Sequence, residues 1–276
     1  MDEKLAPGLY IVATPIGNLG DLSPRAAHVL THADLLAVED SRVTGKLLHH
    51  LGHKRRMTPY HDHNGDEARP ALLEQMRTEA VALVSDAGTP LISDPGYKLV
   101  REAHEAGIAV TTTPGPCAPI AALTLSGLPS DRFLFAGFLP AKRQARAAAI
   151  AELAPVRATL LLFESGPRLG VTLAALAEGL GAREAAVARE ISKLHEEVVR
   201  GPLPELAAHY ADLAPKGEIV IVVGPPGDAA RPEAADVDAL LADALTRLPV
   251  GKAASEVAAA TGLKRADLYA RALALK

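Results

Sequence analysis

The sequence predicts an α/β protein with two α/β lobes and a small helical module after them. Short β-branched segments alternate with longer Ala/Leu-rich segments, which is the pattern of strand–helix–strand units. Of the 276 residues, 49% are hydrophobic but only 3% are aromatic, so aliphatic side chains must build the core. A Pro/Gly/Ala-rich linker, Gly224 to Ala234, separates the alternating region from three helical patterns.

The first lobe is predicted over residues 1–115. Gly8 to Thr14 is apolar and β-branched, as in a buried strand, and Ser23 can cap the helix that follows. Asp40 or Ser41 can cap the next helix. The same alternation predicts strands over Leu35–Glu39, Ala80–Ser85 and Ile108–Thr112, and helices over Glu67–Glu79 and Gly96–Ala106.

The second lobe is predicted over residues 116–226, with the seam between the lobes near residues 113–130. The segment from Pro114, which crosses this seam, is predicted to turn into a helix with prolines in its first turns. The predicted strands are Arg132–Phe138, Ala158–Glu164, Ala185–Glu190, Glu197–Arg200 and Glu218–Val223. Residues 236–276 then form a helical module that resembles a helix-turn-helix around Thr261-Gly262-Leu263.

Composition also restricts the class of protein. Cys117 is the single cysteine, which excludes an intramolecular disulfide and a cysteine-based zinc site and favours a reducing cytoplasm. The apolar runs are too short to cross a bilayer and the start lacks a signal-peptide pattern, so we expect a soluble, cytoplasmic protein. A net charge of -4 argues against a generally basic nucleic-acid coat but allows a local basic face.

Three Pro/Gly-rich loops follow predicted strands. They are Thr14 to Asp21, Ser85 to Gly96, and Thr113 to Cys117. Loops at the carboxyl ends of strands form the ligand crevice of an open α/β sheet, and rigid loops bind with little ordering cost. The sequence has no P-loop, and its one G-x-G ends a helix, so an ordinary dinucleotide site is excluded.

Polar segments supply candidate chemical groups. Glu39 to Arg42 ends a strand, where charge faces a cleft, and Arg189 to Glu197 carries alternating charges after another strand. His61-Asp62-His63-Asn64 is a dense polar cluster, but its spacing matches no zinc pattern, so no metal is predicted.

These segments, in this order, resemble the tetrapyrrole methylase superfamily, in the branch that methylates small-subunit ribosomal RNA. The matching text includes YIVATPIGNLGDLSPRA, LLAVEDSRVTGKLL, HDHN, ALVSDAGTPLISDPGYKLV, TTPGPCAPIAAL and KGEIVIVV. The C-terminal text GKAASEVAAATGLKRADLYARAL is similar to that branch's terminal module. The resemblance covers nearly the whole chain.

The resemblance implies the fold of class III S-adenosylmethionine methyltransferases, with two α/β domains and the cofactor in the cleft between them. It implies 2'-O-methylation of a cytidine in the decoding region of 16S rRNA, with the assembled small subunit as substrate. It also implies a homodimer.

The cofactor residues implied by the resemblance are mostly small or apolar, so main-chain atoms would do much of the recognition. They are Pro15, Ile16, Asp86, Gly88, Thr89, Ile92, Ser93, Cys117, Ala118, Phe163, Ala188, Gly217 and Ile219.

A ribose hydroxyl is a poor nucleophile, so alignment with the methyl group and a nearby base or cation must activate it. The candidates are Lys193 and Glu190 on the second lobe, with Glu39, Asp40 and Arg42 on the first. For RNA, His61 and Asn64 could orient the nucleotide, and Arg189 is either a phosphate clamp or a structural ion pair. A basic rim is expected from Lys142, Arg143, Arg146, Lys252, Lys264 and Arg265.

Two other functions stay open at this stage. The chain could methylate a small tetrapyrrole-type molecule on the same fold, although such a substrate needs no basic helical tail. It could instead be a ligand-sensing regulator that uses its helix-turn-helix-like end to bind nucleic acid.

Overall fold

A computed structural model describes residues 4–61, 64–227, 234–261 and 263–275. The chain forms two compact units, Met1–Pro225 and Pro226–Lys276. The first unit holds two five-stranded sheets and their helices, and the second is helical. The prediction of an α/β protein with a C-terminal helical module is confirmed.

The first sheet is entirely parallel. Its strands are β1 (Gly8–Val12), β2 (Leu35–Val38), β3 (Met57–Pro59), β4 (Ala80–Val84) and β5 (Val110–Thr113), in the order β3-β2-β4-β1-β5. Strands β2 and β4 are buried along their whole length, which explains their continuous apolar sequences. Strand β3 was not predicted, because three residues ending in a proline carry no alternation.

Four helices accompany this sheet: α1 (Pro24–His32), α2 (Ser41–His50), α3 (Gly65–Met76) and α4 (Tyr97–Glu105). The hydroxyl of Ser23 accepts a hydrogen bond from the Ala26 N–H at 3.1 Å, which caps α1. The Asp40 carboxylate accepts from the Arg42 N–H at 2.8 Å and caps α2. Both helix starts therefore lie where short polar side chains satisfy free backbone donors, as predicted.

The second sheet is mixed. Its strands are β6 (Phe133–Phe138), β7 (Thr159–Ser165), β8 (Glu184–Arg189), β9 (Glu197–Pro202) and β10 (Glu218–Val223), in the order β6-β7-β10-β8-β9. Strands β6 and β7 are parallel, and the other three pairings are antiparallel. Its helices are α5 (Ala118–Ser126), α6 (Arg143–Leu153), α7 (Leu169–Leu180) and α8 (Leu203–His209).

The two sheets take their strands from opposite sides of the predicted seam. Strand β5 ends at Thr113 and β6 begins at Phe133, while α5 between them packs against β10, β8 and β7. A boundary between residues 115 and 116 remains a prediction.

One buried apolar cluster joins the loop after β1 to the second sheet. Ile16 packs with Ala188, Ile191 and Val220, all of which are less than a tenth exposed. Burial of each large aliphatic side chain contributes about 1.5–3 kcal/mol. This cluster packs the loop after β1 against one face of the second sheet, on strands β8 and β10.

The second unit consists of α9 (Ala234–Arg247), α10 (Val250–Thr261) and α11 (Arg265–Ala274), as the sequence predicted. Its core includes Leu241, Val257 and Leu268. Gly262, in the predicted turn between the last two helices, lies outside the described residues, as does the linker stretch 228–233. In the part of the chain that is described, every helix is too short or too polar to span a bilayer.

Candidate active site

A cavity of about 270 Å³ lies where the loops of the first sheet face the second sheet. Its walls come from the loops after β1, β2, β4, β5 and β8, the ends of β6 and β7, and the start of β10. The lining residues are Ile16, Glu39, Asp86, Ala87, Gly88, Thr89, Ile92, Ser93, Asp94, Cys117, Ala118, Pro119, Phe138, Phe163, Glu164, Ile191, Glu218, Ile219 and Val220.

The loop between β4 and α4, residues 85–96, is locked in place by its neighbours. Thr14 and Gly88 exchange backbone hydrogen bonds of 2.9 and 3.1 Å, and the Thr89 hydroxyl donates to the Pro116 carbonyl at 2.9 Å. Leu91 and Ser93 have φ values of 76° and 64°, which L-residues rarely adopt. Hydrogen bonds thus connect the three predicted Pro/Gly loops. The backbone of Leu91 and Ser93 is held in a strained conformation beside the cavity.

The lining is acidic. Glu39, Asp86, Asp94, Glu164 and Glu218 contribute to it, whereas no lysine, arginine or histidine among the described residues does. The Asp86 carboxylate accepts from the Asp40 N–H at 3.0 Å. Loss of hydration around this carboxyl raises its pKa, and the neighbouring charge of Asp40 adds to the effect. A cavity of this charge favours a cationic ligand.

The Asp40–Arg42 pair stands at the outer edge of the same loops. Asp40 accepts from Arg42 Nη2 at 2.6 Å and from Arg42 Nε at 3.0 Å. The hydrogen bonds from Arg42 lower the pKa of Asp40 to about 2. The Arg42 side chain is 86% exposed and neither residue lines the cavity, so this pair caps α2 rather than forming the wall.

A second charged group, the Lys193 cluster, consists of Lys193, Glu190 and Glu218. The Lys193 ammonium donates to Glu190 Oε1 at 2.9 Å and to Glu218 Oε2 at 3.1 Å. The Glu218 N–H donates to the same Glu190 oxygen at 3.2 Å. Within the cluster only Glu218 lines the cavity.

The structure brings most of the residues predicted for cofactor binding to one place. Ten of the thirteen line the cavity, and Pro15, Ala188 and Gly217 do not. Ala188 is fully buried beneath the wall and pairs with Val220, which does line it. The role of all thirteen in cofactor binding stays a prediction.

The candidate catalytic residues fall into separate groups. Glu39 lines the cavity and its carboxylate accepts from the Asp86 N–H at 3.4 Å. Lys193 and Glu190 reach the wall through Glu218, which lies in the segment predicted to complete the pocket but for which no catalytic role is predicted. Glu218 begins a strand, whereas the polar groups predicted to carry chemistry follow the ends of strands. Phe138, also missed, does end a strand and could have been found in that way.

The residues predicted to contact RNA are dispersed. Asn64 accepts from the His61 N–H at 2.8 Å and donates to the Pro59 carbonyl at 2.9 Å, so its side chain closes a turn. Asp62 and His63, from the same motif, lie outside the described residues. Arg189 was predicted to be either a phosphate clamp or part of a structural ion pair. In the structure it donates to Glu197 at 3.1 Å and so forms an ion pair.

The expected basic rim is exposed in part. Lys142 and Arg143 are exposed at the start of α6, and Lys252, Lys264 and Arg265 are exposed on the second unit. Arg146 corrects the expectation, since it is only 7% exposed and donates to the Ala141 carbonyl at 3.1 Å. Its helix turns it inward, away from an exposed rim.

The two sheets and the cavity between them form an α/β ligand-binding fold, and comparison with known proteins assigns that fold to the methylases. A family model described as "Tetrapyrrole (Corrin/Porphyrin) Methylases" matches residues 8–207, and one described as "RsmI C-terminal HTH domain" matches residues 231–276. Among solved structures, the chain is similar to a uroporphyrin-III-C-methyltransferase from Thermus thermophilus, with 22% identity, a TM-score of 0.56 and coverage of 78% of this chain and 93% of that chain. A diphthine synthase has 18% identity, a TM-score of 0.62 and coverage of 78% and 89%. At such identities the likeness shows the fold alone.

Curated relatives are much more similar in sequence. Proteins named ribosomal RNA small subunit methyltransferase I share 58% identity in Erythrobacter litoralis, over 99% of this chain and 97% of that protein. The identity is 53% in Mesorhizobium japonicum, over 99% and 94%, and 46% in Escherichia coli O157:H7, over 96% and 94%. The chain therefore belongs to the tetrapyrrole methylases and, within them, to the ribosomal RNA small subunit methyltransferase I family. The resemblance inferred from the motifs is confirmed.

Proposed function

We propose that this protein transfers the methyl group of S-adenosylmethionine to the ribose 2'-hydroxyl of a cytidine in 16S rRNA of the small ribosomal subunit. The observation that carries the proposal is the acidic, loop-walled cavity with the Lys193 cluster at its edge. The names of the curated relatives supply the substrate class.

The cavity's residues fit this donor. S-adenosylmethionine supplies a sulfonium-bound methyl group and carries positive charge on its sulfonium and its amino group. The acidic residues Glu39, Asp86 and Asp94 would attract those charges, and backbone groups of the 85–96 loop would hold the polar ends. Because the loops are already fixed by hydrogen bonds, little ordering cost opposes binding. Phe138, 57% exposed at the wall, offers a face on which a base can stack.

The protein's contribution to the reaction would be mainly alignment. The ribose oxygen must lie in line with the methyl group, and fixed geometry can contribute on the order of 7–11 kcal/mol in model reactions. As the new C–O bond forms, the hydroxyl proton leaves to solvent water. A fixed cation near the oxygen would stabilise the negative charge that develops there.

The ribosomal substrate would approach over exposed cations. Lys142 and Arg143 lie at the start of α6, and the exposed Lys252, Lys264 and Arg265 would make the second unit a further phosphate-binding surface. We place the activity in the cytoplasm, where ribosomal subunits are assembled, and expect a homodimer.

Three measurements test the proposal. Purified protein should bind S-adenosylmethionine in calorimetry. Small subunits from cells lacking the gene, incubated with the protein and this donor, should gain one 2'-O-methylcytidine, measured by nucleoside mass spectrometry. A variant ending at Gly227 should keep donor affinity but bind the subunit more weakly, and its affinity for the subunit should fall less steeply with salt than that of the parent. Absence of donor binding, or methylation at a base instead of a ribose, would disprove the proposal.

A further inference from the structure

The Lys193 cluster is built so that one ammonium lies between two carboxylates. Lys193 Nζ is 2.9 Å from Glu190 Oε1 and 3.1 Å from Glu218 Oε2. The Glu190 side chain is 20% exposed and that of Glu218 is 74% exposed. Glu190 therefore anchors the ammonium from within, whereas Glu218 holds it from the side that faces the cavity.

The backbone around the cluster is fixed by contacts from both halves of the unit. Glu190 and Ser192 have φ values of 52° and 65°, which bulky L-residues rarely adopt. The Ser192 hydroxyl donates to Asp21 at 2.9 Å, and the Ser192 N–H donates to Glu196 at 2.7 Å. Strained backbone persists only where surrounding contacts over-determine it, as they do here.

Two glycines make room for the cluster. A Cβ at Gly17 would overlap the Lys193 side chain, and a Cβ at Gly217 would overlap the Glu190 carboxylate. The aliphatic part of Lys193 thus lies against the backbone of the loop after β1. Its direction is set by contact along its stem as well as by charge at its end.

These contacts also set the charge of the lysine. Partial burial lowers the pKa of Lys193, but hydrogen bonds and charge from Glu190 and Glu218 outweigh that effect and raise the pKa above its ordinary value. The hydrogen bond from Lys193 in turn holds the pKa of Glu190 below its ordinary value. At neutral pH the lysine is an ammonium and cannot accept a proton.

We infer that Glu218 is a positioning residue for methyl transfer, which fixes the Lys193 ammonium at the cavity wall so that Lys193 acts as a cation and not as a base. The inference rests on the proposed function. The ammonium stabilises the ribose oxygen while the C–O bond forms and the S–C bond breaks, and the hydroxyl proton leaves to solvent water. Glu218 acts through Lys193 and keeps it in place between turnovers.

The first test compares pH profiles of single-turnover methylation. Glu218→Gln keeps the shape of an exposed side chain but removes its charge, so Lys193 should lose its proton at lower pH. We expect the alkaline limb of the profile to move to lower pH, with about a tenfold loss of rate on that limb. Glu152→Gln, at an exposed position on α6, is the matched control and should leave the profile unchanged. An unshifted limb in Glu218→Gln would overturn the inference.

A second pair of variants separates the cation from the base. Lys193→Arg keeps a permanent positive charge, so it should retain activity and lose the alkaline limb. Lys193→Gln should lose turnover about 10²- to 10³-fold. If Lys193 were the base, both variants would be equally inactive, and Glu218→Gln would increase the rate near neutral pH.

A measurement without substrate keeps this inference distinct from the proposed function. The Lys193 side chain can be titrated by NMR in the full chain, with isotope-labelled lysine. Glu218→Gln should lower the pKa of Lys193, whereas Glu152→Gln should not. An unchanged titration would refute the positioning role even if the enzyme methylates rRNA. A wild-type protein that fails to methylate rRNA would refute the proposed function even if the titration shifts.

Discussion

The two sheets of the first unit build their parts of the site in different ways. In the parallel sheet, the loops after β1, β4 and β5 all emerge at one edge, because the carboxyl ends of parallel strands lie together. In the mixed sheet, β8 and β10 are antiparallel, so the residue after one strand meets the residue that begins the other. The Glu190 N–H donates to the Glu218 carbonyl at 3.1 Å at that corner.

This difference divides the chemistry. The parallel sheet supplies backbone groups and carboxylates suited to hold a cationic donor, and the antiparallel corner supplies one fixed ammonium. Variants on the two sides should therefore affect different quantities: donor affinity on the first and turnover on the second.

The largest effect is expected at the antiparallel corner. Lys193→Met keeps the aliphatic stem against Gly17 but removes the charge, so turnover should fall about 10²- to 10³-fold. Donor affinity, measured by calorimetry, should change by less than about threefold, since Lys193 does not line the cavity. Lys46→Met, at an exposed position on α2, is the control. Equal losses of turnover and donor affinity in Lys193→Met would show that Lys193 also contributes to donor binding, which would contradict this division between the two sheets.

A stability effect should come from the mixed sheet without any loss of donor binding. The buried Thr172 hydroxyl on α7 donates to Glu164 Oε2 at 2.6 Å. Thr172→Val leaves that buried carboxylate with one hydrogen bond fewer, so the free energy of unfolding should fall by about 1–3 kcal/mol. Urea unfolding measures the change, and calorimetry should return the parent's donor affinity. A weakened affinity would show that the site depends on this side of the sheet.

On the parallel side, Asp86→Asn should weaken donor binding about tenfold while leaving turnover at saturating donor nearly unchanged. The raised pKa of Asp86 means that this carboxyl becomes neutral at a higher pH than an ordinary aspartate. Donor affinity of the parent should therefore fall as pH is lowered through that raised pKa. The variant should lack this part of the pH dependence. If the donor affinities of parent and variant changed with pH in the same way, Asp86 would not be the group responsible.

The smallest effect is expected from Asp40. Its folded-state pKa of about 2 lies below the ordinary value of 3.8. A carboxyl whose pKa is lowered by folding stabilises the folded protein at pH values above its ordinary pKa of 3.8. This contribution disappears as the pH falls from 3.8 toward 2. Asp40→Asn preserves a capping side chain, so its urea midpoint should lie slightly below that of the parent near pH 6 and converge with it near pH 2. A gap that widens with acidity would contradict this sign.

The sequence predicted the position of the loops on the parallel side of the cavity well. The 85–96 loop was recognised as a ligand loop because Pro and Gly residues directly follow an apolar strand, and local rules suffice for such a pattern. Residues 86–89 and 92–94 of that loop accordingly line the cavity. The caps of α1 and α2 were equally readable, since a cap involves residues only two or three positions apart.

The other half depended on pairings that no local pattern records. Glu218 is the first residue of β10, and nothing near it in sequence shows that Glu190 and Lys193 lie beside it. Arg146 was expected on an exposed rim, because a basic residue in a helix gives no sign of whether its turn faces inward.

The sequence by itself determined the strand–helix alternation, the three rigid loops, the helical module and the family. Each of these features depends on residues close together along the chain, where hydrophobic periodicity and backbone preference act. The tertiary structure alone decided which charges meet. The antiparallel pairing of β8 with β10 and the contact between Gly17 and the Lys193 side chain both join residues that are far apart in sequence. Coulomb and hydrogen-bond energies depend on distance in space, and that distance is set only when the sheets are assembled.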